Sequence, residues 1–218
     1  SGRLGFGASR TMQIAQKLYQ GIEIDGETIG LITYMRTDGT NLSTDAIDTF
    51  RKYIKSEFGD EYVPDNASSY SGKKAKNAQE AHEAIRPTDI MRTPDMIKKY
   101  LSPDQHRLYD LIWSRALSSQ MKPAQFDRNT ITIASEDNGT ICKTSGSVIK
   151  FEGFLKIMKD IKKEDDEDVL PEMNKGPVNI EALQDEQHFT QPLPRYSEAS
   201  LVKKLEELGI GRPSTYAS

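Results

Sequence analysis

The sequence predicts an α+β fold, in which a mainly helical part is followed by antiparallel strands and by a short helical stretch. Through residues 1–122 apolar side chains recur at helical spacing, whereas after Pro123 they alternate with polar ones, as strands do. We therefore expect three parts, formed by residues 1–122, residues 123–194 and residues 195–218.

The first elements are predicted from residue spacing and turn chemistry. Residues 8–20 place apolar side chains at helical spacing and are followed by Gly21, which predicts an amphipathic helix. Asp25-Gly26 lies between two short apolar segments and is a type I′ turn signal, so a β-hairpin is expected there. The apolar run over residues 31–35 predicts a buried strand that leads into the polar segment 36–39.

Most of the remaining chain up to Pro123 is expected to be helical. Ser43 is predicted to begin a helix that ends near Phe58, with Asp45 close to its positive end. Residues 59–79 are rich in Ser, Asn, Gly and Lys and predict a long exposed loop, which leads into an Ala-rich helical turn over residues 78–85. Further helices are predicted over three segments, namely 94–100, 103–121 and 198–208.

The part that follows Pro123 is expected to be predominantly β over residues 127–190. Apolar and polar side chains alternate over Thr130–Ile133, Val148–Phe151 and Val178–Ile180, which is typical of antiparallel strands. The acidic run at residues 164–168 is interpreted as a solvated loop.

Composition excludes several classes of protein. With 36% hydrophobic residues the 218-residue chain can form a folded core, and no apolar run approaches the about 20 residues that span a membrane. Cys142 has no second cysteine to pair with, and three scattered histidines offer no zinc spacing, which favours a cytoplasmic protein. A net charge of −4 argues against a generic basic nucleic-acid binder.

Tyr34, Arg36 and Asp38 form the first candidate site. In an extended chain alternate residues point to one face, so the three side chains are expected to project together. The guanidinium of Arg36 could hold a phosphate where the phenol of Tyr34 attacks it. A tyrosine that only packs, beside an Arg36–Asp38 surface pair, is the alternative.

His82 is the second candidate. Among side chains, imidazole changes its charge nearest to neutral pH, which suits it for general acid or base catalysis. His82 lies among acidic and alanine residues in 79–87, and a solvated helix face explains this pattern equally well. The sequence alone does not place His82 near Tyr34.

Three long segments together resemble the signatures of type IA DNA topoisomerases. Residues 30–38, GLITYMRTD, resemble the active-site tyrosine motif of that family, and residues 79–87, QEAHEAIRP, resemble its second signature. Residues 195–202 with 209–218 are similar to a third, and the opening residues 4–7 also fit. The segments occur in the family's order, and the resemblance covers essentially the whole chain.

The resemblance implies a role for each candidate residue. Tyr34 would be the nucleophile that forms a 5′-phosphotyrosyl link, Arg36 would position the scissile phosphate, and His82 would assist proton movement or contact DNA. Further DNA-binding residues are expected at five positions: Asp38, Arg86, Arg195, Arg212 and Thr215.

The resemblance also implies an architecture and an activity. Residues 1–122 would form a helical cap that carries the tyrosine, residues 123–194 a β-rich arch that acts as a hinge, and residues 195–218 the start of a helical DNA-groove domain. The intact enzyme would cut one strand, pass a strand and reseal, relaxing negatively supercoiled DNA. Single-stranded and negatively supercoiled DNA are the expected partners of a monomer with no membrane attachment.

Cofactor expectations follow from the same resemblance. The family's acidic metal-binding domain is not found in this chain, so Mg²⁺ is expected in the intact enzyme only, with no metal ligands here and an inactive isolated chain. No Gly-x-x-x-x-Gly-Lys-Ser/Thr loop occurs, in keeping with a reaction that needs no ATP.

Two other functions are kept as alternatives. The chain could be a non-catalytic DNA-binding module, in which the helices of residues 43–122 dock on DNA and Tyr34 stacks on a base. It could also be a protein-interaction fragment. The clustered motifs favour the topoisomerase interpretation over both.

Overall fold

A computed structural model gives the fold of most of the chain. It describes residues 3–37, 39–70, 82–135, 139–158, 175–179, 182, 184–211 and 215. Residues 1–122 and 196–218 form one compact unit, and residues 123–195 form a second. Helices and two-stranded antiparallel sheets occur together, which confirms the predicted α+β class. The three-part division expected from the family stays a prediction.

The first unit begins with the predicted helix and hairpin. Helix α1 spans Ala8–Gln20, and strands β1 (Ile22–Ile24) and β2 (Glu27–Ile29) pair in antiparallel register. Asp25 and Gly26 both have positive φ, 51° and 89°, as a type I′ turn requires. The hairpin therefore forms where its turn residues predict it.

Helix α2 spans Thr44–Phe58 and is capped as the sequence predicts. The hydroxyl of Ser43 accepts a hydrogen bond from the backbone N–H of Ala46 at 3.3 Å, and Asp45 lies in the positive first turn. A single 3-10 turn follows at Asp60–Tyr62, and the described remainder up to residue 70 is irregular. Residues 71–79 of the predicted loop lie outside the described residues.

Two sequence predictions fail where long-range hydrogen bonds replace local ones. Residues 31–35 form no ladder strand and make only an isolated bridge, Ile32 to Pro87. The predicted helical turn over 78–85 is not helical in its described part, residues 82–85. The backbone N–H of Ala84 donates instead to the carbonyl of Asn41, at 2.9 Å. Residues 78–81 lie outside the described part.

The last helices of residues 1–122 supply much of the core. Helix α3 spans Pro94–Ile97 and continues as a 3-10 turn over Lys98–Tyr100, and helix α4 spans Pro103–Ser118. Helix α4 packs against α1 and buries Tyr109, whose hydroxyl donates to the carbonyl of Arg92 at 2.8 Å. Burial raises the pKa of the Tyr109 phenol, so this side chain stays neutral.

Helix α5 spans Glu198–Glu207, close to the predicted range, and the Ser197 hydroxyl caps it. No residue of α5 is buried. The carboxylate of Glu198 accepts the backbone N–H of Ala8 at 2.8 Å. It thus serves the N-terminus of α1, where the capping residue is Gly7 and no side chain of α1 itself caps the helix.

The second unit contains one long hairpin. Strands β3 (Gln125–Ala134) and β4 (Ile141–Phe151) pair antiparallel, and a 3-10 turn over Gly153–Lys156 follows. The prediction of β structure up to residue 190 is wrong for the described residues beyond 151, which form no strand. Val178 and Asn179 are both exposed, so the apolar–polar pattern does not correspond to a buried and an open face there. Ile180 lies outside the described residues.

The sequence predicts no membrane-spanning segment and a solvated acidic loop. Within the described residues, no helix is both long enough and apolar enough to span a membrane. The acidic run 164–168 lies outside the described residues.

We predict that Ser102→Ala destabilises the chain. Ser102 and Gln105 form a reciprocal capping box at the start of α4, with the N–H of Ser102 donating to the Gln105 amide oxygen at 2.9 Å. Loss of the hydroxyl leaves a helix-end N–H without its acceptor, which costs about 1 kcal/mol in the free energy of unfolding. Urea denaturation measures this change.

Ser114→Ala, within the same helix, is the matched control. Ser114 caps nothing and lies in the helix interior, so the expected change is within about 0.5 kcal/mol. Equal losses in the two variants would show that the capping box contributes no stability.

Candidate active site

The two candidate segments lie side by side because extended backbone joins them. The N–H of Thr33 donates to the carbonyl of Arg86 at 2.9 Å, and the N–H of Thr88 donates to the carbonyl of Leu31 at 3.0 Å. These bonds flank the isolated bridge between Ile32 and Pro87. The segment that ends at Tyr34 is therefore held against the segment that follows His82.

The side chain of Thr33 strengthens this pairing. Its hydroxyl donates to the carbonyl of Ala84 at 2.8 Å and accepts the N–H of Arg86 at 3.0 Å. The hydroxyl is a donor and an acceptor at once, so one side chain satisfies two backbone groups of the facing segment.

Tyr34 contacts two other rings. Its ring centroid is 5.9 Å from that of His82, with the planes tilted by 38°, and 5.3 Å from that of Tyr19, in an edge-to-face arrangement at 64°. The Tyr34 side chain is nevertheless 48% exposed, while the following Met35 is buried. The structure therefore brings Tyr34 and His82 together and leaves the phenol open to solvent.

The imidazole of His82 is partly enclosed. Its Nδ1 is shielded from solvent and makes no hydrogen bond within the described part of the chain. The carbonyl of His82 faces Gly39, where an added Cβ would overlap it. The backbone after Tyr34 therefore folds back onto His82.

Glu83 and Arg86 fix the segment that carries His82. Arg86 Nε donates to Glu83 Oε1 at 2.7 Å and Arg86 Nη2 to Glu83 Oε2 at 3.0 Å, a bidentate pair. The N–H of Ser43 also donates to Glu83 Oε1, at 2.8 Å. Burial alone would raise the pKa of Glu83, but the hydrogen bonds from Arg86 and Ser43 outweigh it and lower that pKa.

The remaining predicted site residues differ in their surroundings. Arg36 is half-buried, and its N–H donates to the carbonyl of Tyr34 at 2.8 Å, which tightens the turn after the phenol. The Arg86 guanidinium is bound by Glu83 and by the carbonyl of Pro87. Arg195 is exposed in the second unit and Thr215 is exposed beyond α5. Two positions, Asp38 and Arg212, lie outside the described residues.

Sequence reasoning missed two residues of the cluster. The helical spacing over residues 8–20 places Tyr19 among the apolar side chains of α1, yet it is 40% exposed and contacts Tyr34. In the sequence Glu83 is one of the acids around His82, and its pairing with Arg86 is not predicted. The i,i+3 spacing of Glu83 and Arg86 was the only available signal, and it is a weak one because it usually marks a helix.

The described residues offer no metal site of the usual kind. No group of three or more His, Cys, Asp or Glu side chains lies close enough together within them to hold a metal ion. The carboxylate of Glu83, which follows His82 in the chain, is already bound by Arg86 and Ser43. These residues do not fit a magnesium site.

Comparison with known sequences places the chain in a family. The sequence model of the DNA topoisomerase family matches residues 1–218, and the chain belongs to this family. Relatives include DNA topoisomerase 1 of Rickettsia conorii, 54% identical over 99% of this chain, and that of Xylella fastidiosa, 50% identical over 100%. DNA topoisomerase 1 of Helicobacter pylori is 46% identical over 100% of the chain.

Comparison of structures agrees with the sequences. Full-length topoisomerase I from Thermotoga maritima superposes on 99% of this chain with a TM-score of 0.76 and 41% sequence identity. The chain covers 34% of that protein and 28% of the Rickettsia conorii relative. It thus spans about a third of the length of its relatives, or less.

We predict that Thr33→Val lowers stability although the two side chains have nearly the same shape. The change leaves the carbonyl of Ala84 and the N–H of Arg86 without their partner in a half-buried place. Such a loss costs about 1–3 kcal/mol in the free energy of unfolding. Urea denaturation measures it.

Thr49→Val controls for the loss of a hydroxyl. The Thr49 hydroxyl donates only to the carbonyl of Asp45 within α2, on an exposed face. Its replacement is expected to change stability by about 0.5 kcal/mol or less. If Thr33→Val proves as mild, the hydroxyl does not hold the two segments together.

We predict that Glu83 contributes to a loss of stability in acid. The folded-state pKa of Glu83 lies below its ordinary value of 4.5, so its contribution is complete above pH 4.5 and is lost as the pH falls through the folded pKa. The free energy of unfolding should therefore fall less steeply below pH 4.5 in Glu83→Gln than in the original chain. Glu23→Gln, at an exposed position of β1, is the control, and equal slopes in all three proteins would contradict the assignment.

Proposed function

We propose that this chain carries the nucleophile of a type IA DNA topoisomerase and that Tyr34 is that nucleophile. The observation that carries the proposal is the exposed Tyr34 phenol, which lies beside His82 in a member of the DNA topoisomerase family. Tyrosines that only pack in a core are buried, and this one is not.

In the proposed reaction, the Tyr34 phenolic oxygen attacks the phosphorus of a DNA backbone linkage. A new bond joins tyrosine to the 5′ phosphate, the bond to the 3′ oxygen breaks, and that oxygen leaves with a proton as a hydroxyl. One phosphate ester replaces another, so the bond energy is retained and resealing reverses the step without ATP.

The proton of the phenol must leave during the attack. A phenol is almost wholly protonated at neutral pH, so a nearby acceptor or positive charge is needed. His82 is the side chain near Tyr34 whose chemistry suits proton transfer. Arg36 lies two residues after Tyr34, and a guanidinium can bind a phosphate through two hydrogen bonds. We propose these roles for both residues.

The proposed DNA contacts extend beyond this cluster. Asp38, Arg195, Arg212 and Thr215 are proposed to bind DNA on the family resemblance. For Arg86 the structure favours a more limited role, since its guanidinium is held by Glu83. We propose that Arg86 maintains the site through its pair with Glu83, and that any contact of Arg86 with DNA, expected on the family resemblance, is secondary to that pair.

The activity of the whole protein is also a proposal, because the chain covers 28% of the Rickettsia conorii relative. We propose that the complete enzyme is a cytoplasmic monomer that relaxes negatively supercoiled DNA through single-stranded segments. Magnesium use is proposed for the complete enzyme only, and no step described above depends on it. The isolated chain is expected to be inactive.

We predict that Tyr34→Phe abolishes the covalent adduct with DNA in a full-length topoisomerase that contains this chain. Phenylalanine keeps the ring that contacts Tyr19 and His82 but has no oxygen to attack phosphorus. Labelled single-stranded oligonucleotide, incubated with enzyme and denatured, reports the adduct on a gel. An adduct that survives in Tyr34→Phe would refute the assignment.

Tyr70→Phe is the matched control. Tyr70 is 50% exposed, much like Tyr34, but its hydroxyl donates to the carbonyl of Ser119. This variant should form the adduct normally. Oligonucleotide binding measured in the same proteins tests the alternative, since a non-catalytic DNA-binding module would bind DNA and form no adduct even with Tyr34 intact.

A further inference from the structure

We infer that Tyr19 is a positioning residue for the reaction, because its ring fixes the direction of the Tyr34 phenol. The inference rests on the proposed role of Tyr34 as nucleophile. It assigns to α1, which carries none of the predicted catalytic residues, a part in the chemistry.

Two ring contacts restrict the Tyr34 side chain. Tyr19 meets Tyr34 edge-to-face at 5.3 Å, and His82 meets it at 5.9 Å. An edge-to-face pair has a preferred geometry, since the positive edge of one ring faces the negative face of the other. Tyr34 is 48% exposed, so core packing encloses only part of its side chain, and the two ring contacts limit its rotation.

The backbone ties both tyrosines to the same end of α1. Tyr19 lies at the end of α1, and the segment leading to Tyr34 is fastened to that same end, with the N–H of Leu31 donating to the carbonyl of Leu18 at 2.8 Å. Gly30 approaches so closely that an added Cβ would lie 2.7 Å from the carbonyl oxygen of Tyr19. The C-terminal end of α1 therefore holds both the ring of Tyr19 and the start of the segment that leads to Tyr34.

The exposure of Tyr19 distinguishes a positioning role from a role in core packing. Leu18 is fully buried, whereas the neighbouring Tyr19 is 40% exposed. Removal of the Tyr19 ring therefore opens no enclosed cavity and is expected to cost little stability. Its loss should instead let the Tyr34 phenol turn away from the direction of attack.

Tyr19→Leu and Tyr19→Phe in the full-length topoisomerase test the inference. Single-turnover cleavage of a labelled oligonucleotide should slow about three- to tenfold in Tyr19→Leu, the effect of losing one aromatic pair. The dissociation constant for the oligonucleotide should stay unchanged, because the effect is on orientation. Tyr19→Phe keeps the ring and should restore the rate to within about twofold.

Tyr62→Leu is the matched control. It removes one ring from a comparable pair, Phe58 and Tyr62 at 6.0 Å, in another part of the same unit, and should leave cleavage unchanged. In the isolated chain, NMR of ring-labelled tyrosine should show the Tyr34 signals move in Tyr19→Leu and stay in Tyr62→Leu.

The outcomes separate this inference from the proposed function. Tyr34→Phe is run alongside: an adduct in that variant overturns the role of Tyr34 itself. If Tyr34→Phe is inactive while Tyr19→Leu cleaves at the original rate, only the role of Tyr19 is overturned. A Tyr19→Phe variant as slow as Tyr19→Leu would also overturn it, because the hydroxyl rather than the ring would then be responsible.

Discussion

The pairing of residues 30–33 with residues 84–88 is the interaction on which the rest of the site depends. Its hydrogen bonds are few, and the Thr33 hydroxyl supplies two of them. This pairing brings together the Tyr34 phenol and the His82 imidazole, which are far apart in the sequence. Because the pairing is too short to form a ladder, side chains must complete what a sheet would otherwise provide, and the Glu83–Arg86 pair does so on the His82 side.

Elements that depend on neighbouring residues could be predicted from the sequence. A serine hydroxyl at a helix start bonds N–H groups three residues away, so Ser43, Ser102 and Ser197 mark their helices whatever the rest of the chain does. The Asp25-Gly26 turn is equally local, since its geometry requires positive φ at both residues. In each case the information and the structure lie within the same few residues.

Elements that depend on distant partners could not be predicted in this way. Residues 82–85 have helical composition, but the carbonyl of Asn41 and the hydroxyl of Thr33 bond their backbone in an extended form. The site shows the same division. Motif resemblance proposed Tyr34, Arg36 and His82, whereas the contact of Tyr19 with Tyr34 arises only from packing of α1 against the segment after Gly30. An aromatic residue at the edge of an amphipathic helix has no local feature that distinguishes a positioning role from core packing.

Near Tyr34, the charged pair that anchors the backbone differs from the residues that are proposed to act on DNA. Arg86 could have offered its guanidinium to a phosphate, but a free cation in a half-buried place would leave the His82 segment without its anchor. Pairing with Glu83 satisfies that cation through two hydrogen bonds, and the Ser43 N–H ties the same carboxylate to the start of α2. The scaffold is thereby close to neutral where it is buried. Binding of a DNA phosphate beside Tyr34 then falls to residues outside this anchored pair. That division agrees with the proposed roles, in which Arg36 contacts the phosphate and the uncharged ring of Tyr19 orients the phenol.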